Sequence, residues 1–386
     1  MLSLQNLTRH LGQKNTIVTF DQAIYKLAKE IQWKRPEQFE DMVVRMGGFH
    51  IMLNYLGTIG KMVADAGVHE LLVDAGLYSD ATTGSILKGK QYKRAIRAHK
   101  LLREALGVCE WKTFVDSEFA EGEVVTNLQE LASSVAKCCQ EGSLHTKEVF
   151  GEMTQAVSLL QDSLAKFREK MQAQSELATF WLNYMDSVDL MLTFIRSEHS
   201  QNWDQHLSCV TEMAKYFHAY DRQNYSRWLT VYIADMRNLE KDAPEVQKEF
   251  LDGNFGVQRS SRPFCSVWTD LALEQSVNRD VKCSGGLLGI TRKEAARDRW
   301  FLTTHVNSII SSSLAQIETP NRSCDLTHGE DSTARTSTDY RDICKLVTKL
   351  ESTIKNPFTV DDAPPVPLSN ICTGSKPSAQ STNRIL

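Results

Sequence analysis

The sequence predicts an α/β core carrying a large all-α insertion, predominantly helical overall and ending in a mostly disordered tail. Three observations predict it. Two β-branched, apolar runs near the start are each followed by a helical pattern, the mark of an α/β unit. No proline occurs between Pro36 and Pro244, and most of that span has helical periodicity. After Glu318, Ser, Thr, Asp, Asn and Pro dominate, and apolar runs become isolated.

Residues 1–14 read as a lead-in. Asn15–Phe20 (NTIVTF) reads as a buried strand, and Gln22–Ile31 as the helix after it. Pro36 breaks the chain. Asp41–Met46 (DMVVRM) is a second strand, closed by Gly47-Gly48 and followed by a helix over Phe49–Ala66. Helical periodicity returns over 68–107. These elements form the first part of the core, 15–110. The insertion is expected over 111–242, with helices at 123–140, 146–171, 175–197, 203–219 and 224–240. The second part of the core, 243–317, opens with a helix at Pro244–Phe250. An aromatic loop, Asn254–Trp268, comes next. Thr269 then caps a helix over Asp270–Val281, and a last helix spans Arg292–Ile317. In the tail, 318–386, Ile343, Leu346, Val347, Leu350 and Ile354 share one helical face, suited to docking on the body or on a partner.

Composition narrows the class. Apolar residues are 41% and charged residues 24%, with a net charge of −4, so the chain as a whole is not a strongly basic nucleic-acid protein. Nine scattered cysteines form no CxxC pair, which argues against a disulfide framework or a zinc finger and for reduced thiols. The start lacks a signal-peptide core, and no run of about 18 apolar residues exists to span a membrane. An intracellular protein, nuclear or cytoplasmic, is expected. The sequence holds no GxxxxGK[ST], no GxGxxG after a strand, no HExxH and no GxSxG.

Four sets of residues could carry chemistry. Asp21 follows a strand directly, where active sites of α/β folds gather; it is equally placed to cap the next helix. Gly47, Gly48 and His50 form a strand-to-helix turn whose glycines permit positive φ or close backbone approach, and whose helix start offers N–H groups to a phosphate or carboxylate; a plain tight turn is the other use. Glu274, Asn278 and Lys282 share one helix face, as metal ligand, orienting neighbour and phosphate contact, or as an ordinary exposed face. Lys88, Lys90, Lys93, Arg94, Arg97, Lys100 and Arg103 crowd sixteen residues, with Arg259 and Arg262 in the loop before Glu274. They suit phosphates, or simply face solvent.

Three stretches carry a resemblance: TFDQAIY (19–25), RMGGFHIMLNYLGTIG (45–60) and WTDLALEQSVNRDVK (268–282). Together they resemble a group of uncharacterised animal proteins, abundant in invertebrate and fish genomes, that look like products of mobile elements. Their order is also similar to a family of fungi and animals with Asp-Gln after a strand, a Gly-x-Phe-His turn and a Glu/Asn helix, which looks like a ribonuclease-H-like transposase core. The resemblance covers most of 15–317. It implies Asp21 and Glu274 as catalytic acids, with Asp21, His50 and Glu274 as ligands of Mg²⁺ or Mn²⁺. Gln22, Gly47, Gly48 and Asn278 would support them, and Lys90, Lys93, Arg94, Arg97, Arg259 and Lys282 would contact DNA or RNA.

The chain departs from that pattern. The second acid is missing, since Gly47, Gly48 and His50 stand where it is due, and Mg²⁺ prefers oxygen to imidazole. His50 also follows Asp21 too closely for the usual hairpin and helix between the first two acids. No DNA-binding head precedes Asp21, so a truncated N-terminus is expected. The expected function is a transposon-derived, ribonuclease-H-like protein that binds nucleic acid and whose metal-dependent phosphodiester cleavage is doubtful or lost. The alternatives are a non-enzymatic helical interaction module, working through the insertion or tail, and an active divalent-metal nuclease or transposase.

Overall fold

The structure is a computed structural model that describes residues 1–118, 147–260, 263–275, 298, 328–354 and 356–359. The fold is predominantly helical with small sheets. Helix α1 (Leu2–His10) leads into strand β1 (Thr16–Phe20), helix α2 (Gln22–Lys34), strand β2 (Met42–Met46) and helix α3 (Gly48–Met62). Then come α4 (Val68–Asp74), α5 (Asp80–Leu87), α6 (Tyr92–Glu118), α7 (Lys147–Gln174), α8 (Glu176–His199), α9 (Trp203–Ala219), α10 (Gln223–Arg237), α11 (Leu239–Asp242) and α12 (Pro244–Leu251). A small hairpin, β3 (Val257–Gln258) and β4 (Ser266–Val267), precedes α13 (Thr269–Gln275), and α14 (His328–Lys349) runs into a π-helical turn, Leu350–Ile354.

The expected strands and the helices around them are present, with ends shifted by a few residues. The expected helices at 123–140 and 292–317 lie outside the described residues, apart from Asp298. Helix α1 replaces the expected lead-in. Its apolar residues point outward and Gln5 is the residue it buries, so it carries no ordinary core-facing pattern.

The chain divides into two compact units: Met1–Tyr55 with Leu190–Thr338, and Leu56–Asp189 with Asp339–Leu386. The first unit is built on β1 and β2, which pair in parallel, Thr16 opposite Met42 through Phe20 opposite Met46. A parallel pair needs a crossover helix, and α2 supplies it. All five β2 residues are buried, whereas β1 alternates and leaves Ile17 exposed. Tyr25 of α2 is fully buried and meets Trp228 and Tyr232 of α10 edge-on. Lys29 pairs with Asp235 of α10 at 2.8 Å. The expected insertion, 111–242, therefore does not match this division. Helices α9 and α10 belong to the unit of the sheet, because their aromatic side chains pack on α2 and β2.

Among its described residues, the regular elements of the second unit are all helices. Phe114, Phe167, Trp181 and Tyr184 are buried in it. His99 Nδ1 lies 2.9 Å from the Tyr184 hydroxyl, and burial pushes its imidazole down to about 4. The expected disordered tail is corrected in part. Residues 328–354 are helical, and Leu346, Val347 and Leu350 bury the apolar face noted in the sequence. Asp339 and Asp342 both accept from Arg97 of α6, and Asn356 Nδ2 donates to the Cys109 carbonyl at 3.1 Å. That face is spent within the chain and is not a free docking helix. Among the described residues no helix is long and apolar enough to cross a membrane.

Candidate functional site

The site forms where the two parallel strands end. Gly47 N–H donates to the Phe20 carbonyl at 2.8 Å and carries the pairing one step past β2. The rim therefore holds Asp21 at the end of one strand, and Gly47, Gly48 and His50 at the end of the other.

Gly47 and Gly48 have no left-handed backbone; their role is close approach. A Cβ on Gly47 would collide with the Asp270 carboxylate, and one on Gly48 with the Trp268 indole. Trp268 is held by Phe49 and Phe194, at ring separations of 6.4 and 5.7 Å. The tetrapeptide Gly47-Gly48-Phe49-His50 is thus the seat for the segment Trp268-Thr269-Asp270, more than 200 residues along the chain.

The seat has a specific occupant. Phe49 N–H donates to Asp270 Oδ1 and His50 N–H to Asp270 Oδ2, each at 3.1 Å. His50 Nδ1 lies 3.0 Å from the same Oδ2. A carboxylate at the first turn of α3 satisfies two orphan N–H groups and complements the positive end of the helix. The N-terminus expected to receive a phosphate or a carboxylate is thus filled by a carboxylate of the protein itself. Asp270 is only 6% exposed. In the sequence Asp270 merely opens a helix. Its partners lie 220 residues away, and only the paired glycines hint that something must come close.

Asp21 and Glu274 lie near enough to His50 for their charges to act on its imidazole. The hydrogen bond to Asp270 raises the His50 imidazole above its usual range, burial opposes this, and the charges of Asp270, Asp21 and Glu274 add to the rise. Tyr225 of α10 joins them, its hydroxyl 3.3 Å from the His50 carbonyl. Burial raises the Tyr225 phenol, and the charges of Asp21 and Asp270 raise it further. Asn54, one turn along α3, donates to that same carbonyl at 3.0 Å.

The donor atoms do not make a divalent-metal site as placed. Asp21 caps α2, its Oδ1 accepting from Ile24 N–H at 2.9 Å. Asp270 spends both oxygens on α3 and His50. Among the described residues no group of three or more His, Cys, Asp or Glu side chains is arranged to hold a metal ion. As placed, this set does not fit Mg²⁺ or Mn²⁺. Gln22 is half-buried at the start of α2, and Asn278 and Lys282 lie outside the described residues.

The basic residues divide. Lys88, Lys90, Lys93, Arg94 and Lys100 are exposed around the start of α6. Arg97 is drawn off by Asp339 and Asp342, and Arg103 by Asp189, in a two-pronged pair at 2.8 Å. Arg259, in the other unit, donates to Gln275. Arg262 lies outside the described residues.

A second network, with no signal in the sequence, lies inside the unit of the sheet. Arg45 of β2 is 5% exposed, donates to the Phe255 carbonyl and faces the rings of Trp203, Phe250 and Phe255. Arg45 also hydrogen-bonds Tyr232, whose hydroxyl lies 3.3 Å from His206 Nε2. His206 Nδ1 pairs in turn with Glu198.

The comparisons with known proteins give one family. A model described as "domain of unknown function (DUF8702)" matches residues 1–383, and the chain belongs to that family. No curated protein and no solved structure matches it.

Proposed function

For this member of the family, we propose a mobile-element-derived, ribonuclease-H-like core that binds DNA or RNA and no longer cleaves it by two-metal chemistry. The observation that carries this reading is the His50–Asp270 pair at the end of two parallel strands, where the charges of Asp21 and Glu274 also act on the imidazole. Acids at such a rim are what a phosphoryl-transfer core needs. Here one of them caps a helix, and the position due for another is glycine and histidine. The rim keeps the shape of a nuclease site, while its carboxylates serve the fold.

Binding is assigned to the exposed cations Lys88, Lys90, Lys93, Arg94 and Lys100. They offer point charges to a phosphate backbone without base recognition. The test is fluorescence anisotropy of the full chain on single- and double-stranded oligonucleotides across a salt series. Affinity is expected to fall steeply with salt. A Lys90→Ala/Lys93→Ala/Arg94→Ala variant should flatten the log–log slope by about 0.9 for each duplex phosphate that is no longer neutralised. Absence of binding at low salt, or binding indifferent to salt, overturns the reading.

A further inference from the structure

Strand β1 has an outer edge that nothing among the described residues pairs with. In the parallel register, Thr16 N–H donates to the Asp41 carbonyl and Gly47 N–H to the Phe20 carbonyl. Residues 16, 18 and 20 therefore spend their backbone groups on β2, and Ile17 and Thr19 aim theirs the other way. The strand, TIVTF, has no charge and no proline, two of the features that keep an edge from pairing, and helix α13 touches it.

Two apolar stripes flank that edge. On α2, Tyr25, Lys29 and Trp33 turn toward α10, which itself packs on β2. Ile24, Leu27 and Ile31, spaced by three and four residues, occupy the opposite flank and so lie on the β1 side. On α1, Arg9 reaches Asp41 at the start of β2 at 2.8 Å. Leu4, Leu7 and Leu11 lie on the opposite flank, again on the β1 side. Ile17 is 42% exposed between the stripes, and Leu27 is 55% exposed.

We propose that this edge and its two stripes are a self-association surface, occupied by the same surface of a second copy of the chain. The geometry permits closure. A two-fold axis at Val18 sets Ile17 of one copy opposite Thr19 of the other, so the four outward peptide groups pair and the sheet grows to β2-β1-β1-β2. A two-fold contact needs a self-complementary patch, and an uncharged strand between apolar stripes is one. The area agrees. Seven side chains, each two-fifths or more exposed, offer on the order of 700 Å², against roughly 800 Å² per partner in a standard interface.

The test is sedimentation velocity of the full chain from low to high micromolar concentration. The expected species is a dimer of twice 43.6 kDa. Thr19→Pro removes only an outward N–H, and Leu7→Lys/Leu27→Lys charges both stripes; each is expected to yield the monomer with unchanged circular dichroism. If the proline variant loses its fold, the double lysine variant decides. A wild type that stays monomeric throughout overturns the proposal. So does a dimer that persists in the folded variants, since its interface would then lie elsewhere.

Discussion

His206 and Glu198 form one histidine–carboxylate pair in the unit of the parallel strands, and His50 and Asp270 form another. The first pair is 1% and 2% exposed, sealed by Trp203 stacked on the imidazole at 5.0 Å and by the aromatic rings around Arg45. In the second, the His50 side chain is 29% exposed and the Asp270 side chain 8%. The same two functional groups therefore serve different ends. The sealed pair orders a core and offers no path to a ligand. The rim pair has one face toward the protein and one toward solvent, with Tyr225 on the His50 carbonyl and the charges of Asp21 and Glu274 acting on the imidazole. Burial, not residue type, separates the structural pair from the candidate site.

The largest effect is expected from breaking the sealed pair. Glu198→Ala leaves His206 and Arg45 buried without that carboxylate and should cost about 3–5 kcal/mol in denaturant unfolding. A cost below about 1 kcal/mol would mean that the pair is not the structural one.

Asp270→Ala comes next. It strips the cap from Phe49 and His50 N–H and the partner from the imidazole, for about 2–4 kcal/mol. Gly48→Ala should cost about 1–3 kcal/mol, because Trp268 is pinned by two rings and must shift to admit a methyl group. Native-like stability in both variants would show that the seat is looser than its geometry implies. Asp21→Ala should cost only about 1 kcal/mol, the ordinary loss of a helix cap.

These rim residues also show what is legible in a sequence. Strands β1 and β2, helices α2 and α3 and the whole of α9 are legible, because local periodicity and breakers set their limits. The Asp21 cap is legible for the same reason. Asp270 is not, since it acts on a turn at the far end of the sequence. Glu198 and His206 sit on two successive helices, and only their packing brings them together. The basic run looks continuous until Asp339, Asp342 and Asp189 claim Arg97 and Arg103. Tertiary partners supplied by distant segments account for each of these gaps.

The smallest effect is the most specific. The folded His50 imidazole has a raised affinity for protons, so between its unfolded value, about 6.5, and its raised value the folded state binds more protons. Its stabilising contribution is complete below about pH 6.5 and fades as pH rises through the raised value. The melting-temperature gap between the wild type and His50→Gln should therefore narrow from acid to mildly alkaline pH. A gap that stays constant would mean that His50 does not titrate against Asp270.

We propose that the chain holds nucleic acid without metal-dependent cleavage at this rim. The most direct test incubates the full chain with labelled single and double strands at low salt in Mg²⁺ or Mn²⁺, and reads binding and cutting in the same sample. The account predicts strands that are bound and uncut. Strands cut by the wild type but spared by Asp21→Ala and Glu274→Ala would contradict it.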